Sequence, residues 1–90
     1  MKITWTKRAN SNLENLIDYI YQENAHAAEA IHNCIINAIK QLSVFPAIGR
    51  EGRIRNTREI VSCYPYIVIY TIKDNYIKIL RIIHGSQKYP

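Results

Sequence analysis

Tyr66-Ile67-Val68-Ile69-Tyr70-Thr71-Ile72 is a run of β-branched and aromatic residues in the second half of this 90-residue sequence. Such residues favour strands because their side chains pack well on a pleated surface. Side chains of a strand alternate between the two faces of the sheet, and here positions of both parities are apolar. The segment therefore predicts a central strand that is covered on both faces.

Shorter strand signals lie on both sides of this central strand. Lys73-Asp74-Asn75 predicts a tight hairpin turn, and residues 76–84 predict a last strand. Ile60-Val61-Ser62 begins a strand before the central one, and Lys2–Trp5 predicts a short first strand at an edge of the sheet. The sequence therefore predicts three strands connected by tight turns, with a fourth strand added from the N-terminus.

Between the first strand and the others, the apolar residues recur with a helical period. Thr6 is a candidate N-cap for a first helix, and Asn24 for a second helix that Pro46 stops. The apolar stripe of the first helix consists of Ala9, Leu13, Leu16, Ile17 and Ile20, and that of the second of Ala28, Ile31, Cys34, Ile35, Ala38, Ile39, Leu42 and Phe45. So short a link between them predicts an antiparallel helical hairpin.

The predicted fold class is α+β, in a single domain over residues 1–90. An N-terminal strand and an antiparallel helical hairpin are expected to pack on one face of a small antiparallel β-sheet. The other sheet face is then expected to meet solvent or a partner. Residues 46–57, with Pro46, Gly49 and Gly52, predict a turn followed by an irregular or edge segment.

Composition narrows the class of protein. Apolar residues make up 48% of the chain, too many for a disordered segment, and no run approaches the roughly 18 apolar residues of a membrane span. The first residues lack the apolar core of a secretory signal, so the expected compartment is the cytoplasm. Cys34 and Cys63 are expected to be reduced thiols, and without a CxxC motif neither zinc nor a redox pair is suggested.

The positive charge is concentrated in the second half of the chain. Residues 1–48 carry four basic and four acidic groups, whereas residues 49–90 carry eight basic and three acidic groups. A basic region of this kind attracts a polyanion or an acidic protein partner, although a solvated basic surface would have the same composition.

Several local strings, in order and over almost the whole chain, resemble the RelE/ParE superfamily of type II toxin–antitoxin toxins. They are Ala9-x-x-x-Leu13-x-x-Leu16-Ile17-x-Tyr19-Ile20, Leu42-x-x-Phe45-Pro46-x-Ile48-Gly49-Arg50, Thr57-Arg58-Glu59-Ile60-Val61, Pro65-Tyr66-Ile67-Val68-Ile69-Tyr70 and Ile79-Leu80-Arg81-Ile82-Ile83-His84-Gly85. Each string alone is weak, but together at these spacings they are specific. The Phe45–Arg50 string and the helical hairpin look more like the ParE-like branch, the plasmid stabilization type.

The resemblance implies a toxin that arrests bacterial growth and is neutralised by a cognate antitoxin, without a metal or organic cofactor. ParE-like members poison DNA gyrase, and that is the expected target here. The first alternative is a RelE-like endonuclease that cuts mRNA on the ribosome, in which case the chain is an enzyme. The second is a non-toxic module that binds its antitoxin. In each case operator DNA would be reached only through the antitoxin complex. The branches of the superfamily share one fold, so the fold cannot choose between the targets.

Arginine residues are the first candidates for a functional site, because a guanidinium donates two parallel hydrogen bonds to phosphate and stays charged. The candidates for binding the target or phosphate are Arg50, Arg53, Arg55, Arg81, Lys88 and Tyr89. Tyr89 would stack on an unpaired base, or alternatively pack on the sheet as an aromatic residue of the tail. Pairing of the arginines with Glu51 and Glu59 inside the fold is the alternative role.

If the chain is a nuclease, the resemblance implies that Arg58, Glu59 and His84 are the catalytic residues. A histidine can act as a general acid or base near neutral pH. His84 and Arg81 have opposite parity on an ideal strand, so they share a site only if the strand ends or bulges before residue 84. His26 and His32 lie six residues apart on the second helix and therefore predict no metal pair.

Overall fold

The computed structural model describes residues 1–89 of the chain. Its elements follow in the order β1 (Lys2–Trp5), α1 (Lys7–Glu23), α2 (Ala25–Gln41), β2 (Arg50–Glu51), β3 (Arg58–Cys63), β4 (Tyr66–Lys73) and β5 (Tyr76–His84). The predicted α+β class and the helical hairpin on one face of a sheet are confirmed.

The five strands form one sheet in the order β1-β5-β4-β3-β2. Neighbours among β2, β3, β4 and β5 are antiparallel, as predicted, because tight turns leave no other choice for the hairpins β3–β4 and β4–β5. β1 lies at an edge, also as predicted, but it runs parallel to β5, which makes the sheet mixed. A strand that is separated from its neighbour by helices is free to pair in parallel.

Side-chain caps fix where the two helices begin. The Thr6 hydroxyl accepts a hydrogen bond of 3.0 Å from the Ala9 amide at the start of α1. The Asn24 side chain accepts one of 3.0 Å from the Ala27 amide at the start of α2, while the Asn24 amide closes α1 on the Ile20 carbonyl. Asn24 therefore ends one helix and begins the next, as the predicted antiparallel hairpin requires.

The second helix is shorter than its apolar stripe. α2 ends at Gln41, where hydrogen bonds from Leu42 and Ser43 to carbonyls three residues back tighten the last turn. The Ser43 hydroxyl also donates to the Lys40 carbonyl at 2.8 Å. Phe45 therefore lies beyond the helix and is 61% exposed, whereas the sequence placed it on the buried stripe.

The main core lies between the helical hairpin and the sheet. Its buried residues are Ala9, Ile35, Ile39, Leu42, Val68, Tyr70, Ile77, Ile79 and Ile82. Leu13 and Leu16 of α1 are partly buried against it, so the predicted face of that helix is confirmed. The main core therefore covers one of the two faces of β4.

A second, smaller core lies on the opposite face of the sheet, which we call the distal face. Ile67, Ile69 and Ile83 are buried there, with Leu80 and Tyr89 packed against them. β4 is therefore covered on both faces, as its sequence predicts. The distal face was expected to meet solvent or a partner, and Tyr89 of the tail packs on part of it, which is the alternative role given for this residue.

A β-bulge in β5 determines which of its side chains reach each face. Ile69 pairs with Arg81 and Tyr70 pairs with Ile79, so Leu80 is the extra residue. Ile77, Ile79 and Ile82 consequently all face the helices, although strict alternation would separate them. Arg81 and Ile83 face the distal side.

No helix within residues 1–89 is long and apolar enough to cross a membrane.

Substitution of Leu42 by alanine tests the position of the main core. Leu42 is fully buried, and truncation of a buried leucine costs ~2–5 kcal/mol through lost burial and a cavity. We expect the Tm of Leu42→Ala, measured by circular dichroism, to fall by roughly 10 °C or more. Val44→Ala is the control, because Val44 is 68% exposed only two residues away. Equal Tm values for the two variants would contradict the described packing.

Candidate functional site

The distal face and the loop between β2 and β3 hold most of the sequence-predicted site residues. The loop closes where the Gly52 amide donates to the Thr57 carbonyl at 2.8 Å, and Asn56 within it has a φ of 65°. Asparagine is one of the few residues other than glycine that adopts this left-handed conformation readily. The closed loop carries Arg53 toward the distal face.

Tyr89 lies beside two guanidinium groups on that face. The Cζ atom of Arg81 is 5.2 Å from the centre of the Tyr89 ring, and that of Arg53 is 5.6 Å from it. Arg53 also donates a 3.2 Å hydrogen bond to the Tyr89 carbonyl. Both distances are within the range of cation–π attraction, so Arg53, Arg81 and Tyr89 form one cluster.

The buried carboxylate of Glu59 holds Arg53 of this cluster in place. The carboxylate accepts hydrogen bonds from the Arg50 side chain at 3.1 Å and from the Arg53 amide at 3.0 Å, and it forms an ion pair with the Arg53 side chain at 3.3 Å. The residue is only 2% exposed. Burial raises the pKa of the Glu59 carboxyl, but the hydrogen bonds from Arg53 and Arg50 outweigh burial, so the pKa lies below its ordinary value.

Arg58 lies on the helix-facing side of the sheet, because it pairs with Tyr70 of the main core. Its guanidinium donates to the Gly49 carbonyl at 2.7 Å and to the Ala47 carbonyl at 3.4 Å. Arg58 and Glu59 are neighbours on β3, so their side chains point to opposite faces. Both hold the segment between α2 and β3 in place.

His84 lies at the far end of β5, on the helix-facing side. Its ring meets the Tyr66 ring edge to face at 5.6 Å, and its Nδ1 atom accepts a 3.0 Å hydrogen bond from the Ser86 amide. A cleft beside it is lined by α1 residues that include Asn12, Asn15 and Tyr19. His84 is therefore a neighbour of the first helix.

The structure does not bring Arg58, Glu59 and His84 together. Arg58 and His84 pair with residues of β4 that are four positions apart, about 13 Å along the strand. Glu59 points away from both. Pairing between β4 and β5 is regular from Arg81 to His84, so these two residues lie on opposite faces. A bulge between Arg81 and His84 would bring the two side chains to one face, but the bulge of β5 lies at Leu80, before Arg81.

The remaining predicted residues are spread over the surface. Arg50 pairs with Glu59, and its side chain is 62% exposed. Lys88 is exposed in the tail. Arg55 is exposed and lines a groove of about 800 Å³, together with Arg58 and Lys73. The groove runs between the β2–β3 loop and the end of β4.

Three lysines and a tyrosine, Lys2, Lys73, Lys78 and Tyr76, form a surface that the sequence did not reveal, which we call the basic surface. Lys2, Tyr76 and Lys73 are paired across β1, β5 and β4, and Thr4, Lys78 and Thr71 form the next row. Lys2, Lys73, Tyr76 and Lys78 are exposed. Within residues 1–89 both ion pairs go to Glu59, so none of these lysines has an acidic partner. The signal is missing from the sequence because it depends on the parallel pairing of β1.

The described residues, 1–89, contain no group of three histidine, cysteine, aspartate or glutamate side chains that could hold a metal ion. His26 and His32 border one shallow cleft between the helices.

Comparison with known proteins identifies the family. The family model described as "ParE toxin of type II toxin-antitoxin system, parDE" matches residues 3–89, nearly the whole chain. The chain belongs to the ParE toxin family. It is 38% identical over 90 residues to the putative toxin Y4kP of Sinorhizobium fredii, with 99% of this chain and 93% of that protein covered. It is also 31% identical over 86 residues to toxin RelE2 of Caulobacter vibrioides, with 96% and 97% covered.

Solved structures share the fold of this ParE family member. The chromosomal ParDE toxin–antitoxin system of P. aeruginosa contains a chain with a TM-score of 0.83 at 23% identity, covering 93% of this chain and 95% of that one. A YoeB dimer from Staphylococcus aureus has a TM-score of 0.63 at 17% identity, with 90% and 92% covered. The chain is thus a toxin component of a type II toxin–antitoxin module, and the family implies a cognate antitoxin as its partner.

The contacts of the Glu59 carboxylate predict how the stability of the fold changes at acid pH. The folded-state pKa of Glu59 is below the ordinary 4.5, so its contribution to stability is present above that pH and is lost as the pH falls through the folded-state value. Glu59→Gln should therefore flatten the decline in unfolding free energy below about pH 4.5, measured by urea denaturation. At pH 7 the variant should be less stable by about 1–3 kcal/mol.

Glu51→Gln is the matched control for this experiment. Glu51 is an exposed glutamate of the same loop region and has no ion pair within residues 1–89. Its variant should follow the wild-type stability curve. A Glu59→Gln curve parallel to the wild type at all pH values would contradict the charged, hydrogen-bonded state of Glu59.

Proposed function

We propose that this toxin arrests growth by inhibiting DNA gyrase, and that it does so by binding rather than by cleaving a substrate. The observation that carries the proposal is the separation of Arg58, Glu59 and His84. Strand cleavage by 2′-hydroxyl attack needs a proton removed, a proton delivered and charge stabilised at one place. His84 lies beside α1, whereas Glu59 is committed to two arginines on the distal face.

A binding mode agrees with the distribution of charge. Arg55 and Lys73 share one groove, and Lys73 connects that groove to the basic surface of Lys2 and Lys78. Cations without acidic partners attract a negatively charged target over several ångströms and speed its association. A gyrase poison needs such a docking surface and no proton transfer of its own.

One observation favours the alternative, a RelE-like endonuclease that acts on the ribosome. Arg53, Arg81 and Tyr89 do converge on the distal face, where the guanidiniums would hold a phosphate and the ring would stack on a base. Only Arg81 and Arg53 would then stabilise the charged transition state, and Glu59 would orient Arg53. In this mechanism His84 has no part.

Other aspects of the function follow from the proposed role. The toxin would act in the cytoplasm, where its target and its antitoxin are found. The basic second half of the chain suits an acidic segment of that antitoxin. Contact with operator DNA would occur only through the toxin–antitoxin complex, and a non-toxic module would keep only these binding roles.

Expression of the chain alone in a bacterium tests the toxic role. We expect growth to stop on induction, and co-expression of the neighbouring antitoxin gene to restore it, because the antitoxin covers the target-binding surface. Viable counts and a soluble-protein assay are the measurements. Undiminished growth with soluble protein present would favour the non-toxic module.

Purified toxin distinguishes the two targets in a pair of assays, DNA supercoiling by gyrase and mRNA cleavage on programmed ribosomes. We expect inhibition in the first and no cleavage in the second. Arg55→Glu should weaken gyrase inhibition by on the order of tenfold or more, because it reverses an exposed charge in the groove. Lys7→Glu makes the same change of charge at the exposed start of α1 and should have little effect.

Two further variants test the alternative mechanism directly. Arg81→Ala should abolish mRNA cleavage in a nuclease, whereas His84→Ala should leave either activity nearly intact. Cleavage of mRNA that is lost in His84→Ala would overturn the proposal and return His84 to a catalytic role.

A further inference from the structure

The two cysteines of the chain meet between the second helix and the sheet. Cys34 lies on α2 and its thiol donates to the Ser62 carbonyl of β3 at 3.5 Å. Cys63 is the next residue, at the end of β3, where it is packed against the main core. The Cys63 side chain lies on the helix-facing side of the sheet, the side from which Cys34 reaches Ser62. Two cysteines far apart in the sequence thus lie at the same contact between α2 and β3.

A β-bulge is what turns Cys63 toward Cys34. Strict alternation along β3 would put Cys63 on the distal face, together with Glu59 and Val61. The register shifts between Val61 and Cys63, so that Cys63 pairs with Tyr66 and shares its helix-facing side. Bulges re-aim side chains in this manner and are found often at sheet edges.

Both thiols are accessible enough to react. Each cysteine is half-buried and neither is in a disulfide. β2 pairs only with Arg58 and Glu59, so the part of β3 that carries Cys63 has no strand outside it. The open edge of the sheet beside Cys63 is therefore the side from which a small oxidant would approach.

We propose that Cys34 and Cys63 are a redox modification site, at which a small-molecule disulfide such as oxidised glutathione closes an intramolecular disulfide between α2 and β3. The Cys34 thiolate attacks one sulfur of the oxidant and releases one glutathione thiolate. The Cys63 thiol then loses its proton and attacks the Cys34 sulfur, which releases the second glutathione. Two protein thiols become one disulfide, and oxidised glutathione is reduced to two glutathione molecules.

The order of these steps follows from the environment of Cys63. Its hydrogen bond with Cys34 and its burial raise the pKa of the Cys63 thiol to about 11, so it is protonated at neutral pH. A thiol with a raised pKa is a poorer nucleophile, so we assign the first attack to Cys34. Once a mixed disulfide has formed at Cys34, the hydrogen bond between the thiols is gone and Cys63 becomes the resolving group.

The bond would tie the helical hairpin to the sheet. α2 contacts β3 through side-chain packing and the hydrogen bond from Cys34 to Ser62. A covalent link between the two elements would close a loop that contains β2 and the whole basic β2–β3 segment. Cross-links that close long loops stabilise a fold chiefly by restricting the unfolded chain.

The proposal is tested by treating the purified, reduced chain with oxidised glutathione at neutral pH. Intact-mass spectrometry should show a monomer lighter by two hydrogen atoms, and peptide mapping should show Cys34 joined to Cys63. The oxidised monomer should have a Tm higher by roughly 10 °C, and dithiothreitol should reverse the increase. A product that carries glutathione on both cysteines, or only cross-linked dimers, would overturn the proposal.

Cys34→Ser and Cys63→Ser are matched controls that keep a small polar side chain at each position. Each should show no gain in Tm on oxidation, compared with its own reduced form. Cys63→Ser should accumulate a single glutathione adduct at Cys34, because the resolving thiol is missing. An equal rise in Tm for either variant would mean that the gain comes from something other than the link.

Discussion

The Tyr70 hydroxyl connects the sheet to the segment between α2 and β2. The position of β2 and of the β2–β3 loop depends on this contact. Tyr70 is fully buried in β4, where its hydroxyl donates to the Pro46 carbonyl at 2.8 Å and accepts from the Gly49 amide at 3.0 Å. A side chain at position 49 has no room, because its Cβ would lie 2.6 Å from that hydroxyl. Proline, glycine and tyrosine are thus parts of one contact. A buried hydroxyl without these partners would destabilise the fold.

A series of further contacts connects this one to the cluster of Arg53, Arg81 and Tyr89. The backbone that Tyr70 and Arg58 hold passes directly into β2, which presents Arg50 to the buried Glu59. Glu59 then fixes the Arg53 amide and side chain, and Arg53 reaches Tyr89 in the tail. Glu59 and Arg58 therefore work as a pair on opposite faces of β3. Their contacts give both residues a structural role that does not require them to catalyse a reaction.

The sequence was sufficient to predict the elements but not all of their relations. Apolar periodicity and the caps at Thr6 and Asn24 predicted the helical hairpin, since both are local properties. The double coverage of β4 was predicted because its side chains are apolar on both parities. The parallel pairing of β1 and the bulge at Leu80 were not, because each depends on contacts between distant segments.

The candidate site was less predictable than the fold for the same reason. Arginine-rich composition identified Arg53 and Arg81 as candidates for binding the target or phosphate, and the structure places both beside Tyr89. The sequence grouped Arg58, Glu59 and His84, but the structure does not bring them together. Alternation along β3 puts the side chains of Arg58 and Glu59 on opposite faces of the sheet. The lysines of the basic surface lie on three strands, so only the assembled sheet could reveal them.

The brevity of the outer strands has a consequence for self-association. β1 has four residues and carries Lys2, while β2 has two residues, both charged. Beyond β2 the exposed border of β3 is interrupted by its bulge. A flat, unpaired strand is a template on which a second molecule can add its own, and short, charged or bulged borders prevent such addition. The same irregularities that turn individual side chains toward their partners therefore also protect the sheet against growing into a fibre.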